Sequence, residues 1–161
     1  MNGLVFRKEV FPADPDIIRD ITASTGFFYD YEIEVAVELA DERLKRGEES
    51  GYYFCFAELD GNTVAYACFG PIACTKSSFD LFWIVTHKNH RGKGIGVRLL
   101  EETEKLVKGM GGTNLIAETS SRSLYLPTRT FYEKNHYVAE ARIRDFYGRD
   151  DDKIVYVKRF A

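Results

Sequence analysis

Six consecutive residues, Arg91-Gly92-Lys93-Gly94-Ile95-Gly96, hold the most readable chemistry of the chain. Glycines at alternate positions let a backbone approach a ligand without interference from Cβ. The apolar run before them, Ser78 to Thr86, reads as a strand. After them Ile95, Leu99, Thr103, Leu106 and Met110 recur at helical spacing, which predicts an amphipathic helix of about four turns ended by Gly109, Gly111 and Gly112. A strand that runs through glycines into a helix offers the unpaired N–H groups of the first turn and the positive end of the helix dipole, an arrangement suited to an anion. Arg91 and Lys93 add positive charge. The same glycines would also serve a tight strand-to-helix connection that binds nothing.

Competing phosphate motifs fail on particular residues. A P-loop needs GxxxxGK followed by Ser or Thr, and no such string is present. The dinucleotide fingerprint GxGxxG fails because Val97 stands third after Gly94, and a kinase loop fails there too, with no HRD or DFG string downstream. Cys55, Cys68 and Cys74 form no CxxC pair, and His87, His90 and His136 do not complete a zinc site with them. Cys55 and Cys68 lie in apolar runs and read as buried, reduced thiols; His87 and His90 read as surface residues. No serine or cysteine sits in a nucleophile motif.

The elements around the loop follow from pattern and punctuation. Residues 4–10 read as a strand, and Asp14 as the cap of a helix opening at Pro15. A second helix is predicted from Tyr31 to Lys45, closed by Gly47. Tyr52–Leu59 and Thr63–Phe69 form a hairpin around Asp60-Gly61-Asn62. Beyond the loop helix come a strand over 113–119, a short helix opened by Pro127 that carries Phe131 and Tyr132, and strands over 137–144 and 153–160. The order β-α-α-β-β-β-α-β-α-β-β predicts an α+β fold, a mixed and mostly antiparallel central sheet with helices on both faces.

With 161 residues, 45% hydrophobic and 29% charged, the chain suits a single domain spanning 1–161. Its net charge of -3 disfavours a nucleic-acid partner. No apolar run approaches the roughly 20 residues a membrane helix needs, and the N-terminus lacks a secretory layout, so a cytoplasmic location is the default expectation.

Arg91-Gly92-Lys93-Gly94-Ile95-Gly96 resembles the Q/R-x-x-G-x-G/A signature of the GNAT N-acetyltransferase superfamily. The resemblance continues through FDLFWIVTHKNH upstream and PTRTFYEKNHY downstream, and covers roughly residues 50–160. It implies acetyl-CoA as co-substrate, no metal, and an amine acceptor: a small molecule, an amino acid or a peptide N-terminus. It further implies that N–H groups from Arg91 to Gly96 hold the CoA pyrophosphate, and that Val85 and Thr86 pair with the pantetheine arm. A backbone N–H there would polarise the thioester carbonyl. Tyr132 falls where many members place the tyrosine that protonates the departing thiolate, a role a phenol can fill at neutral pH. Three departures stand out: Lys88 replaces a frequent proline, His136 a usual glycine, and Tyr125 a CoA-contacting asparagine, for which Ser120, Ser121 or Arg122 could substitute.

An amine must lose a proton before it attacks a thioester. By position, Asp80 on the strand before the loop and Glu118 at the end of the next strand are the best candidates for the base. Asp14 to Glu42 contains nine acidic residues against Arg19 alone, a rim that would attract a cation, although helix surfaces are often acidic. A non-catalytic acyl-CoA-binding module with the same fold would share the loop. It would be favoured if Tyr132 pointed into the core. Homodimerisation is left open.

Overall fold

Residues 2–161 are described by a computed structural model. The elements among them are β1 (Leu4–Arg7), α1 (Asp14–Ser24), α2 (Asp30–Arg46), β2 (Tyr53–Leu59), β3 (Asn62–Pro71), β4 (Ser78–Thr86), α3 (Ile95–Gly109), β5 (Asn114–Ser120), α4 (Leu126–Lys134), β6 (Val138–Gly148) and β7 (Asp151–Arg159). Their order is the one read from the sequence. The strands form one seven-stranded sheet, β1-β2-β3-β4-β5-β7-β6. The β1–β2, β2–β3, β5–β7 and β6–β7 pairs are antiparallel, and β4 runs parallel to β5, with a helix in the crossover between them. The fold is α+β, as expected.

The chain divides into two compact units: residues up to Gly70 together with Phe82–Leu106, and Pro71–Leu81 together with residues from Val107 onward. In the first, the β2–β3 hairpin turns at Asp60 and Gly61, with φ of 51° and 83°. Positive φ at both positions is what a two-residue hairpin demands. Strand alternation then sorts side chains by face. Phe54, Phe56, Tyr66 and Cys68 pack under Ile18 and Ile21 of α1 and Ala36, Val37 and Ala40 of α2. The intervening Cys55, Ala57, Ala65 and Ala67 are fully buried on the opposite face, where Cys55 meets Thr103 of α3. Burial pushes the Cys55 thiol up to about 12 and holds the Cys68 thiol well above its ordinary value. Both are thus reduced, buried thiols.

Asp14 is not the helix cap it was expected to be. Ala13 takes the N-cap position of α1 with no side-chain cap bond. The Asp14 carboxylate accepts instead from the Phe11 N–H at 2.6 Å and from both ends of the Arg7 guanidinium at 2.8 and 2.9 Å. The bidentate ion pair occupies both carboxylate oxygens, and β1 ends at Arg7, not Val10. Gly47 does close α2, with φ of 60°.

In the second unit β4 runs parallel to β5 over Ser78–Leu81 against Asn114–Ala117, and β5, β7 and β6 follow as antiparallel neighbours. One face of these strands carries Phe79, Leu81, Leu115, Ala117 and Tyr156, all buried. The α4 helix packs there through Tyr132, whose ring lies 5.5 Å from that of Tyr156. The other face carries Asp80, Ile116, Glu118, Lys153 and Val155, by the same registers. The β6–β7 turn is tighter than expected, with strand structure resuming at Asp151. No helix among the described residues is long and apolar enough to cross a membrane.

Candidate active site

The glycine loop is built in the first unit by the end of β4 and the start of α3. After Thr86 the His87 N–H donates to the Val64 carbonyl at 2.9 Å, tying the strand end to β3. A short 3-10 turn, Lys88–His90, follows. It is capped by the His87 side chain, whose Nδ1 accepts from the Asn89 N–H at 3.2 Å. His87 thus supports the loop base, and both histidines remain partly exposed at the surface. Burial, then the neighbouring Lys93 and His87, lower the pKa of His90. The Lys88 N–H donates to Ser24 Oγ at 3.1 Å, so the lysine in place of proline gives the loop an anchor on α1.

Arg91 is extended, and Gly92 and Gly94 have φ of 72° and 76° before α3 begins at Ile95. A Cβ at either glycine would meet nothing within 4 Å. Their requirement is conformational: an L residue in the left-handed region is strained by roughly 1–2 kcal/mol. Residues 91–94 are exposed while Ile95 is buried and roots the helix. The loop thus presents solvent-facing N–H groups ahead of a helix N-terminus, a fit for a pyrophosphate. The Arg91 guanidinium rests over the Phe27 ring at 4.7 Å, which preorganises it. Val85 is buried and Thr86 half-buried, and both lie beyond the last pair, Leu81–Ala117, of the β4–β5 register. A strand segment past the end of its ladder has backbone groups to offer an extended ligand.

The second unit holds the remaining candidates, and it sorts them by face. Asp80 and Glu118 come together on one face, Asp80 half-buried and Glu118 exposed. Burial first and Glu118 second raise the Asp80 pKa, and Lys153 opposes them. Lys153, which sequence reasoning missed, donates to Glu118 Oε2 at 2.7 Å and lies 3.5 Å over the Phe146 ring. Only strand pairing could have found it, because β5 and β7 meet across a separation in sequence that no local pattern encodes.

Tyr132 lies on the opposite face, 5% exposed, against the rings of Phe131, Tyr137 and Tyr156. Burial raises its pKa, so its hydroxyl stays protonated at neutral pH. Beside it Tyr156 donates to Glu133 at 2.9 Å, and a cavity of about 500 Å³ is lined by Arg129, Glu133, Glu140, Arg142, Ile154 and Tyr156 among others. Ser120 and Ser121 are engaged within the unit: Ser120 with Asp151, and Ser121 with the Asp152 N–H at 2.8 Å. His136 after α4 takes φ of 69°, the left-handed conformation a glycine would favour. No cluster of His, Cys, Asp and Glu suited to a metal occurs among the described residues.

Residues 50–139 match the family model of the GNAT acetyltransferase domain. Over 98% of this chain and 99% of its own, a Desulfovibrio desulfuricans protein assigned to the GNAT acetyltransferases is 42% identical, with a TM-score of 0.96. More distant in sequence are a ribosomal-protein-alanine N-acetyltransferase from Brucella melitensis (20% identity, TM-score 0.77, 97% and 99% coverage) and an aminoglycoside 6'-N-acetyltransferase complexed with coenzyme A (19%, 0.76, 96% of each chain). None of the curated proteins matches.

Proposed function

This chain belongs to the GNAT acetyltransferase family, and we propose that it transfers an acetyl group from acetyl-CoA to a primary amine by direct attack in a ternary complex, as one catalytic domain. The observation that carries this reading is the loop itself, where Gly92 and Gly94 hold positive φ immediately before α3. The N–H groups from Arg91 to Gly96 bind the pyrophosphate, with Arg91 and Lys93 as counter-charges. Backbone groups at Val85 and Thr86 hold the pantetheine arm and polarise the thioester carbonyl, stabilising negative charge as it develops. Relatives described as complexed with coenzyme A, and others named as aminoglycoside or protein-alanine N-acetyltransferases, support both donor and acceptor class.

Asp80, assisted by Glu118, takes a proton from the bound ammonium and so frees the neutral amine to attack the thioester. The raised pKa of Asp80 follows from its half-burial and from Glu118, and a base nearer neutrality is better matched to an amine. Tyr132 supplies the proton to the departing thiolate. A screen of primary amines with thiol release as the readout tests the reading; turnover with at least one amine is expected. A second reading, a non-catalytic acyl-CoA-binding module, draws support from the near-complete burial of Tyr132. A melting temperature raised by acetyl-CoA with no turnover across the screen would establish that alternative.

A further inference from the structure

Lys153 is held unusually firmly for a strand lysine. Its side chain is 12% exposed, with the ammonium clamped between the Glu118 carboxylate and the Phe146 ring and with Tyr147 at 6.0 Å. Register explains the placement. Lys153 pairs with Ser120, so it shares a face with Glu118, and Asp80 on β4 stands on that face through its pairing with Ile116. Arg122 is committed to Asp151 on the same face at 3.2 Å, whereas Arg142 pairs with Asp152 at 2.6 Å on the opposite face, beside Ile154. The face therefore carries three carboxylates, of which Asp151 is paired with Arg122 and Glu118 with Lys153, so that Asp80 is the one left to meet a ligand. Glu118 remains 44% exposed, so a ligand can reach it.

We propose that Lys153 determines acceptor specificity: by cancelling the Glu118 charge and occupying the face of Phe146, it leaves Asp80 as a subsite for a singly charged amine. This deepens the reading of Asp80 and Glu118 as the acceptor side and rests on it. A second positive charge on a ligand would find no counter-charge on this face, and its desolvation would go uncompensated. Without Lys153 the face holds two free carboxylates beside an open ring, which is the composition of a strong cation site.

The probes are n-butylamine and 1,4-diaminobutane, titrated at neutral pH and low salt into the full-length chain, with affinities read by NMR line shifts. The wild type is expected to bind the two amines within about threefold of each other. Lys153→Met should favour the diamine by about tenfold or more, and Lys153→Arg should restore the wild-type ratio. Lys153→Gln, which keeps a donor for Glu118 without the charge, serves if the methionine variant does not fold. Glu118→Gln locates the binding. If it weakens both amines while removal of the Lys153 charge leaves the ratio unchanged, the specificity inference alone is overturned. If it affects neither amine, they bind elsewhere and the acceptor reading falls as well. A wild-type chain that already prefers the diamine tenfold also overturns the inference.

Discussion

In the function proposed above, the glycine loop and the carboxylate face use opposite materials. The loop acts through backbone N–H groups, and its side chains matter mainly by being absent at Gly92 and Gly94. The carboxylate face acts through three charged side chains from three strands, Asp80, Glu118 and Lys153, and its backbone is ordinary sheet. A backbone site tolerates little change in conformation, whereas a side-chain site tolerates little change in charge. Substitutions that exchange conformation and substitutions that exchange charge should therefore affect the two regions in opposite ways.

The largest effect is expected from Gly94→Val, which forces a β-branched residue to φ near 76°. Acetyl-CoA should raise the melting temperature of the wild type by mass action. The variant should lose that shift, with affinity down at least about a hundredfold, while its own melting temperature falls by only a few degrees. An intact shift would mean that the pyrophosphate is bound elsewhere. Tyr132→Phe comes next. Acetyl-CoA affinity should hold while kcat falls about tenfold to a thousandfold, less for a donor whose thiol has a lower pKa. An undiminished kcat would exclude Tyr132 as the acid and leave it as packing for Tyr156. Arg91→Ala should weaken CoA by about tenfold and pantetheine hardly at all, because pantetheine has no pyrophosphate. Equal losses would reassign Arg91, through Phe27, to holding the loop.

The smallest effect is one of charge and pH. The folded-state pKa of Asp80 is raised, so the native state binds its proton more tightly than the unfolded chain does. Stability from this group is present at low pH and is lost as pH rises through the folded pKa. Asp80→Asn should therefore raise the melting temperature slightly at neutral pH, on the order of 1–2 °C, and the gain should vanish below the ordinary carboxylate range. In the enzyme itself, kcat/KM should climb with pH through the same raised pKa. A wild-type acid limb at the ordinary carboxylate value would remove Asp80 from the role of base.

This contrast also explains what could be read from the sequence. Ile95, Leu99 and Thr103 announce α3 by spacing, and glycine announces positive φ, because both are local properties of the chain. The element order and the loop needed nothing more. Asp14 misled because its preferred partner, Arg7, belongs to another element, and partner choice is tertiary. Lys153 was invisible for the same reason: its meaning depends on β7 lying beside β5 in one register. Even His136 shows the limit, since a residue that disfavours φ of 69° adopts it where the turn after α4 requires it.

Strand alternation has one more outcome, for the three thiols. Cys55 pairs with Ala67, and Cys68 with Phe54. The two cysteines are neighbours across the hairpin yet point through opposite faces of the sheet, so they cannot form a disulfide without breaking the pleat. Burial also deprives both of thiolate at neutral pH. Cys74 is exposed and carries the redox and labelling chemistry of the native chain. Ellman's reagent should therefore count one thiol per folded molecule, a fixed background for any assay that reports released CoA. Oxidation in air should yield, at most, pairs of chains joined at Cys74 and dissolved by reductant.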